Sequence, residues 1–430
     1  MYSLIRGFTF RFVFIGIQFA AGMLIAKLAG TEQFGILSLM IVNAAIIQII
    51  TGMGTDASIV WHGISDRLMD RNKVFSFTFY TSIAQLLLFG IAAAFFFLFA
   101  GKSILSNGSN IRIFYAELVY FTGLILTEKY SALFYSQQQA VLCNRLLAFA
   151  ASLLFVSLLL LSIFLPGIIA AHIIWVFSFY SFVPASVIIF FYHTRFSPAI
   201  IKINRVDFNS FANFSFIVFV TNLIQFLAFR ADFWIISFFH LKSDVGIYAQ
   251  ASRFAQLLWI IPNILAGLVI PALKNENNKL SLPDLFSVCR ILFLTHIFLG
   301  TAAIAGAFVA YRYFLPADYF HGFPALLLMM PGYILFTITI ILAAYFSANR
   351  LLKVNLAGSC LCCLLMLTVD FLLIPKFSFT GAAIANFVVY SITTAYFIIV
   401  SNKFTGAGIK DYFVLQKDDW KKVINLSLRK

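Results

Sequence analysis

The sequence predicts an all-α integral membrane protein with about 12 transmembrane helices, divided into two six-helix halves. Three observations predict it. The first is composition: 62% of the 430 residues are hydrophobic and 11% are charged, with a mean hydropathy of +0.96. Soluble domains run at roughly 45–50% apolar and about 25% charged, and no water-soluble fold hides this much apolar surface. The second is the recurrence of apolar runs about 20 residues long, the length a helix needs to cross the hydrocarbon. The third is a pair of segments that recur at one offset close to half the chain.

The runs lie at 8–28, 34–56, 74–99, 111–135, 141–165, 168–192, 208–239, 246–271, 285–311, 323–346, 351–374 and 380–400. Arg6 and Arg11 precede the apolar stretch of the first, from Phe12 to Leu28, which mimics a signal peptide. No convincing small-residue cleavage site follows its apolar stretch, so it reads as a retained helix. The other runs are bounded by short polar breaks and lack the strict alternation of β-barrel strands. The longest connectors are 61–73, 193–207, 274–284 and the tail from 402. None is long enough for a soluble catalytic domain.

Charge gives the orientation. Of the 30 Lys and Arg residues, 21 fall on one side of the twelve runs, six on the other, and Lys129, Arg230 and Arg253 inside them. The positive-inside rule therefore predicts a multi-pass protein with both termini cytoplasmic. The same placement explains the net charge of +14 without nucleic acid. The five cysteines show no metal spacing and read as reduced packing residues. The tail 403–430 is basic and loosely amphipathic, which suits a solvated segment resting on anionic headgroups.

An internal duplication follows from spacing. Glu32-Gln-Phe-Gly-Ile-Leu-Ser resembles Ser243-Asp-Val-Gly-Ile-Tyr-Ala, and Gly35 and Gly246 are 211 apart. Ser136 and Asn144, entering the fifth run, match Ser347 and Asn355, entering the eleventh, again 211 apart. The halves are thus 1–200 and 201–402, with 403–430 as the tail. Six helices per half make the repeats parallel, with a cavity expected between them.

At these segments the chain resembles the polysaccharide exporters of the multidrug/oligosaccharidyl-lipid/polysaccharide superfamily, especially Wzx-type O-antigen flippases. The matching pieces are Leu28-Ala-Gly-Thr-Glu-Gln-Phe-Gly-Ile-Leu, Phe229-Arg-Ala-Asp-Phe-Trp-Ile-Ile, Val245-Gly-Ile-Tyr-Ala-Gln-Ala-Ser-Arg-Phe, Tyr345-Phe-Ser-Ala-Asn-Arg and Ser378-Phe-Thr-Gly-Ala-Ala-Ile-Ala-Asn. Each is weak alone; their order and duplication are specific, and the similarity extends to about residue 400. The resemblance implies two six-helix bundles in a MATE-like V. It also implies an undecaprenyl-diphosphate-linked glycan as cargo, carried across the bacterial inner membrane during polysaccharide and lipopolysaccharide synthesis. Membrane lipids, a polysaccharide polymerase and chain-length machinery would be partners. No cofactor is implied, only coupling to a proton or sodium gradient.

A charge at bilayer depth costs roughly 2.5–3.5 kcal/mol on insertion scales, so intramembrane charges mark function. Arg230 and Arg253 sit about 14 Å and about 10 Å from the outer ends of their runs at 1.5 Å per residue. Guanidinium forks match phosphate oxygens, so both are candidate ligands of a diphosphate headgroup, with Lys129 a third. The plainer readings are an Asp232–Arg253 ion pair and a Lys129 that snorkels to the headgroups. Asp56, Glu128 and Asp232 are candidate ion-coupling carboxylates, although Asp56 also suits a helix-terminus cap. Glu117 and Asp370 fall within about two turns of the outer surface, where water is expected to reach them. Gly123, Gly332, Pro262 and Gly267 suit helix packing or bending.

No Walker A loop, nucleophile elbow or zinc motif is present, so the chain reads as a non-enzyme. A drug or cation antiporter of the same superfamily is the alternative within transport. A membrane polysaccharide polymerase or acyltransferase is the alternative outside it.

Overall fold

A computed structural model describes residues 2–65, 70–165, 167, 169, 172–266 and 281–419. Gly267, Lys274 and Lys279, the linker residues 66–69 and the tail beyond 419 lie outside the described residues. The helices in order are α1 (Tyr2–Gly52), α2 (Thr55–Ser65), α3 (Arg71–Ala100), α4 (Ile111–Ser136), α5 (Ala140–Phe164) and α6 (Ile173–Phe196). They continue with α7 (Arg205–Phe239), α8 (Lys242–Gln256), α9 (Leu282–Val309), α10 (Phe323–Ala348), α11 (Leu352–Thr405) and the short α12 (Lys410–Phe413). Among the described residues there is no strand.

Among the described residues eight helices are long and apolar enough to cross a membrane, and the chain is a multi-pass membrane protein. Two of the eight carry two predicted runs each. α1 is broken at Gly30 (φ 72°, ψ 177°), and α11 is broken at Ser378 (φ 49°, ψ −137°). The expected polar connector at 29–33 is therefore a single-residue break. Gly30 takes the left-handed φ at little cost and the helix resumes at once. α4 carries four charged residues and α8 is short, yet each overlaps its predicted run, so each of the twelve runs is helical over most of its described residues. The helix α2 was not foreseen as a separate element. It restarts the chain after Met53 and Gly54, which both have positive φ (45° and 72°).

By contact the chain divides into two compact units, Met1–Phe226 and Leu227–Lys430. The division falls inside α7 rather than at the basic linker. In the first unit, a close approach joins α4 to α6: a Cβ on Gly123 would lie 2.6 Å from the Phe182 nitrogen. In the second unit α10 meets the latter part of α11 in the same way, with a Cβ on Gly332 falling 2.7 Å from the Phe387 Cα. Both glycines are there because backbone presses on backbone.

The duplication is visible in the turns. Gln138 N–H bonds Tyr135 O and Gln139 N–H bonds Phe134 O, while Arg350 N–H bonds Ser347 O and Leu351 N–H bonds Phe346 O. Each is a Schellman cap, in which a left-handed residue lets two N–H groups satisfy the last helix carbonyls. The left-handed residues, Gln138 (φ 57°) and Arg350 (φ 60°), are 212 apart. Gly30 and Leu241, the breaks before the repeated Gly35 and Gly246 segments, are 211 apart. The second unit thus gains one residue between these two landmarks.

The tail differs from expectation over its described part. α12 buries Tyr412 against α9, where it packs on Phe286 with ring centroids 5.1 Å apart. Arg290 of α9 donates to Asp419 through Nε (2.7 Å) and Nη2 (2.5 Å), and through Nη1 to the Asp411 carbonyl (2.8 Å). Burial pushes the Asp419 carboxyl up, but the Arg290 fork, the Gln416 N–H and the Ser287 hydroxyl outweigh it and hold it at about 2. This stretch is a clasp rather than a solvated tail.

Candidate functional site

The first unit contains an open cavity of about 540 Å³. Its position follows from the break after α1. A side chain at Gly54 would press 2.4 Å from the Ser215 carbonyl, so only glycine lets α2 start there. That start aims Thr55 and Asp56 at α4, and an acid in the first turn of a helix also suits the helix dipole. Lys129 of α4 reaches across to Asp56 at 3.0 Å and donates to the Thr55 hydroxyl. Lys129 is 1% exposed. The expectation that it snorkels to the headgroups is corrected: its ammonium is consumed in a buried ion pair, because Asp56 and Thr55 face it.

Next to it, Glu128 accepts from the Gln48 amide and opens onto the cavity. Its charge interacts with those of Asp56, Lys129 and Arg11. Arg11 of α1 also lines the wall, its guanidinium 5.6 Å from the Phe14 ring centroid. Five aromatic side chains, Phe14, Tyr120, Tyr135, Phe177 and Tyr180, line the cavity with Ser131 and Ser181, and aliphatic side chains such as Leu124 and Leu147 complete the wall. Lys129 stays behind this surface. Arg11, read from the sequence only as a topology charge, is the cation that faces the space.

The second unit holds a different cluster. Asp232 of α7, 4% exposed, accepts from the Tyr248 hydroxyl and from the Phe233 N–H at 2.9 Å. Asn386 donates to the Tyr248 oxygen at 2.6 Å. Asp370 of α11 lies near enough for its charge to act on Asp232. It is fully buried, not in reach of water as expected, and among the described residues neither of its oxygens has a hydrogen-bond partner. Glu117 is likewise buried. It caps the loop before α4, accepting from Ser103 Oγ (2.8 Å), Leu105 N (3.1 Å) and Ser106 N (2.8 Å).

Arg230 is half-buried. It donates to Gln256 at 3.0 Å, stands 5.5 Å from the Phe233 centroid and acts electrostatically on Asp232. Arg253 acts on the Tyr319 phenol. Asp232 thus meets the Tyr248 hydroxyl, the Phe233 N–H and the Asn386 amide, with the Arg230 charge acting on it, where the plainer reading had assigned it to Arg253. Of the six candidates, the structure groups Lys129, Asp56 and Glu128 in the first unit and Arg230 and Asp232 in the second. Arg11, Tyr248, Asp370 and Asn386 were missed as site residues. Asp370 alone carried a signal, as an acid inside an apolar run. Among the described residues no group of three or more His, Cys, Asp or Glu side chains is arranged to hold a metal ion.

A family model described as polysaccharide biosynthesis protein matches residues 8–275. Among solved structures, a lipid II flippase MurJ in an inward closed conformation is similar with TM-score 0.70 and 16% identity, covering 99% of this chain and 92% of that one. An inward-facing multidrug resistance MATE family transporter is similar with TM-score 0.66 and 13% identity, covering 94% and 100%. A transporter of the same superfamily from Pyrococcus furiosus gives TM-score 0.54 and 12% identity over 93% and 96%. Among curated protein sequences, none matches the chain. These likenesses show the fold.

Proposed function

Since the chain belongs to the polysaccharide biosynthesis protein family, we propose that it is a flippase for undecaprenyl-diphosphate-linked oligosaccharide repeat units. It carries them from the cytoplasmic to the outer leaflet of a bacterial inner membrane by exposing one cavity to each side in turn. The observation that carries this reading is the cavity of the first unit, within the family-matched residues. Its volume of about 540 Å³ falls in the range of small-ligand sites, enough for headgroup sugars and not for a polyprenyl tail. Aromatic rings offer faces to sugar rings, and Asp56 and Glu128 accept from sugar hydroxyls. Arg11 supplies a guanidinium fork for phosphate, where the sequence offered Lys129 as its first-unit candidate. Arg230 and Arg253 are further phosphate stations in the second unit.

The coupling ion binds at Asp232 and Asp370 in this reading. Arg230 balances one of these two buried carboxylates and the other is left over. A lone charge in a span is costly, so a proton or a small cation completes the cluster.

The test is deletion of the gene. Lipid-linked repeat units should accumulate in the cytoplasmic leaflet, and surface polysaccharide should disappear. Unchanged polysaccharide with heightened drug sensitivity would contradict the reading and favour an antiporter.

A further inference from the structure

His296 is fully buried and is the fifteenth residue of α9, about 21 Å along its axis at 1.5 Å per residue. Both ring nitrogens meet backbone carbonyls. Nδ1 is 2.7 Å from the oxygen of Leu292, one turn back on the same helix. Nε2 is 2.9 Å from the oxygen of Leu258, which follows α8.

The sequence explains why Leu258 is open to such a contact. It sits in the 3₁₀ turn Leu257–Trp259, and Pro262, four residues on, has no N–H to offer its carbonyl. The next carbonyl, that of Trp259, takes the Asn263 side-chain amide at 2.7 Å. Proline thus leaves a carbonyl short of its helical donor, and a ring nitrogen faces it.

Carbonyl oxygens only accept, and a neutral imidazole has one N–H and one lone pair. A neutral His296 would therefore set a lone pair against a carbonyl oxygen at under 3 Å. Only the doubly protonated ring satisfies both contacts. We propose that His296 is a proton-binding site, held as an imidazolium in this conformation. Its two donated bonds brace the segment after α8 against α9, and release of the proton undoes one of them.

The ionisable groups on the elements packed around it are engaged elsewhere. Arg290 and Asp419 pair with each other, and Arg253 acts on Tyr319. Tyr333 of α10 is stacked on Trp259 at 4.5 Å. Tyr345 lies in the apolar core with Leu292, Cys289 and Tyr412. Burial of the ring opposes its charge, the two carbonyls favour it, and no charged side chain of the described residues adds to either. Its charge therefore answers to the proton and not to a neighbouring side chain.

The test uses full-length protein in lipid nanodiscs. Carbonyl-labelled threonine with ¹⁵N-histidine singles out His296, since no other of the six histidines follows a threonine. At about pH 6, within the range where histidine changes charge, both ring nitrogens should show protonated shifts. A single neutral tautomer from about pH 5 to about pH 8 would overturn the proposal. As a second readout, transport by the wild type should vary with pH across that range and that of His296→Leu should not. A wild-type pH profile in His296→Leu would also overturn it.

Discussion

The two units solve the same problem, charge inside a membrane, in opposite ways. The first unit pairs its charges and leaves them beside an open space: Lys129 is neutralised by Asp56, and Glu128 and Arg11 face the cavity. The second unit seals two carboxylates among Tyr248, Asn386 and apolar side chains, and among the described residues Asp370 has no donor. An open, balanced wall suits a large ligand with many hydroxyls. A sealed, unbalanced cluster suits something as small as a proton or a metal cation. Under the proposed function, this difference divides the duplicated fold between cargo in the first unit and coupling in the second.

The sharpest way to break this contrast is to remove one partner of the first unit's pair. Asp56→Ala strands the Lys129 charge, which is 1% exposed, and should cost about 3–5 kcal/mol in thermal unfolding in detergent. Lys129→Met leaves Asp56, with 32% of its side chain exposed, and should cost less. Equal losses would mean that the pair is not buried as described.

In the second unit the sign reverses. Asp370→Leu removes a buried polar group that has no partner, so stability in cation-free buffer should rise by about 1–3 kcal/mol. Transport by the same variant should lose its dependence on the ion gradient. A destabilised variant would argue that Asp370 has a protein partner.

The shared architecture gives a control. Gly123→Val and Gly332→Val each force a side chain into opposing backbone and should cost about 1–3 kcal/mol. Gly90→Val, with nothing within 4 Å of its Cβ, should stay within about 0.5 kcal/mol. If only one of the two close contacts mattered, the units would not be packed alike.

The smallest effect concerns the clasp. Asp419 sits at about 2 in the folded chain, below its ordinary value, so its contribution is present above about pH 4 and fades as pH falls towards 2. At about 1.36 kcal/mol per unit this amounts to about 2 kcal/mol, read as unfolding stability against pH for wild type and Asp419→Asn. The two curves should converge at the acid end.

Much of the fold was legible in the sequence, because hydropathy and length alone specify spans. The Gly30 and Ser378 breaks were expected as short connectors and proved to be single residues, since one positive φ redirects a helix without any loop. The repeat was legible to within one residue. Its slip to 212 lies in turns whose left-handed residues are Gln138 and Arg350, side chains that do not announce such a turn. The candidate site was half legible. Asp56, Glu128 and Lys129 stood out as charges in apolar runs, but their pairing depends on the Gly54 approach to α7, which no spacing reveals. Asp232 was visible; Tyr248 and Asn386 were not, because uncharged side chains inside apolar runs do not stand out as intramembrane charges do.

The central claim is that the first unit's cavity receives the headgroup of a lipid-linked glycan, and transbilayer movement in reconstituted vesicles tests it most directly. Wild-type protein should carry an undecaprenyl-diphosphate oligosaccharide to the opposite leaflet, and Arg11→Ala should reduce the rate at least about tenfold, the loss of about 1.4 kcal/mol of phosphate binding, with the folded amount unchanged. Movement by Arg11→Ala at the wild-type rate would contradict the account.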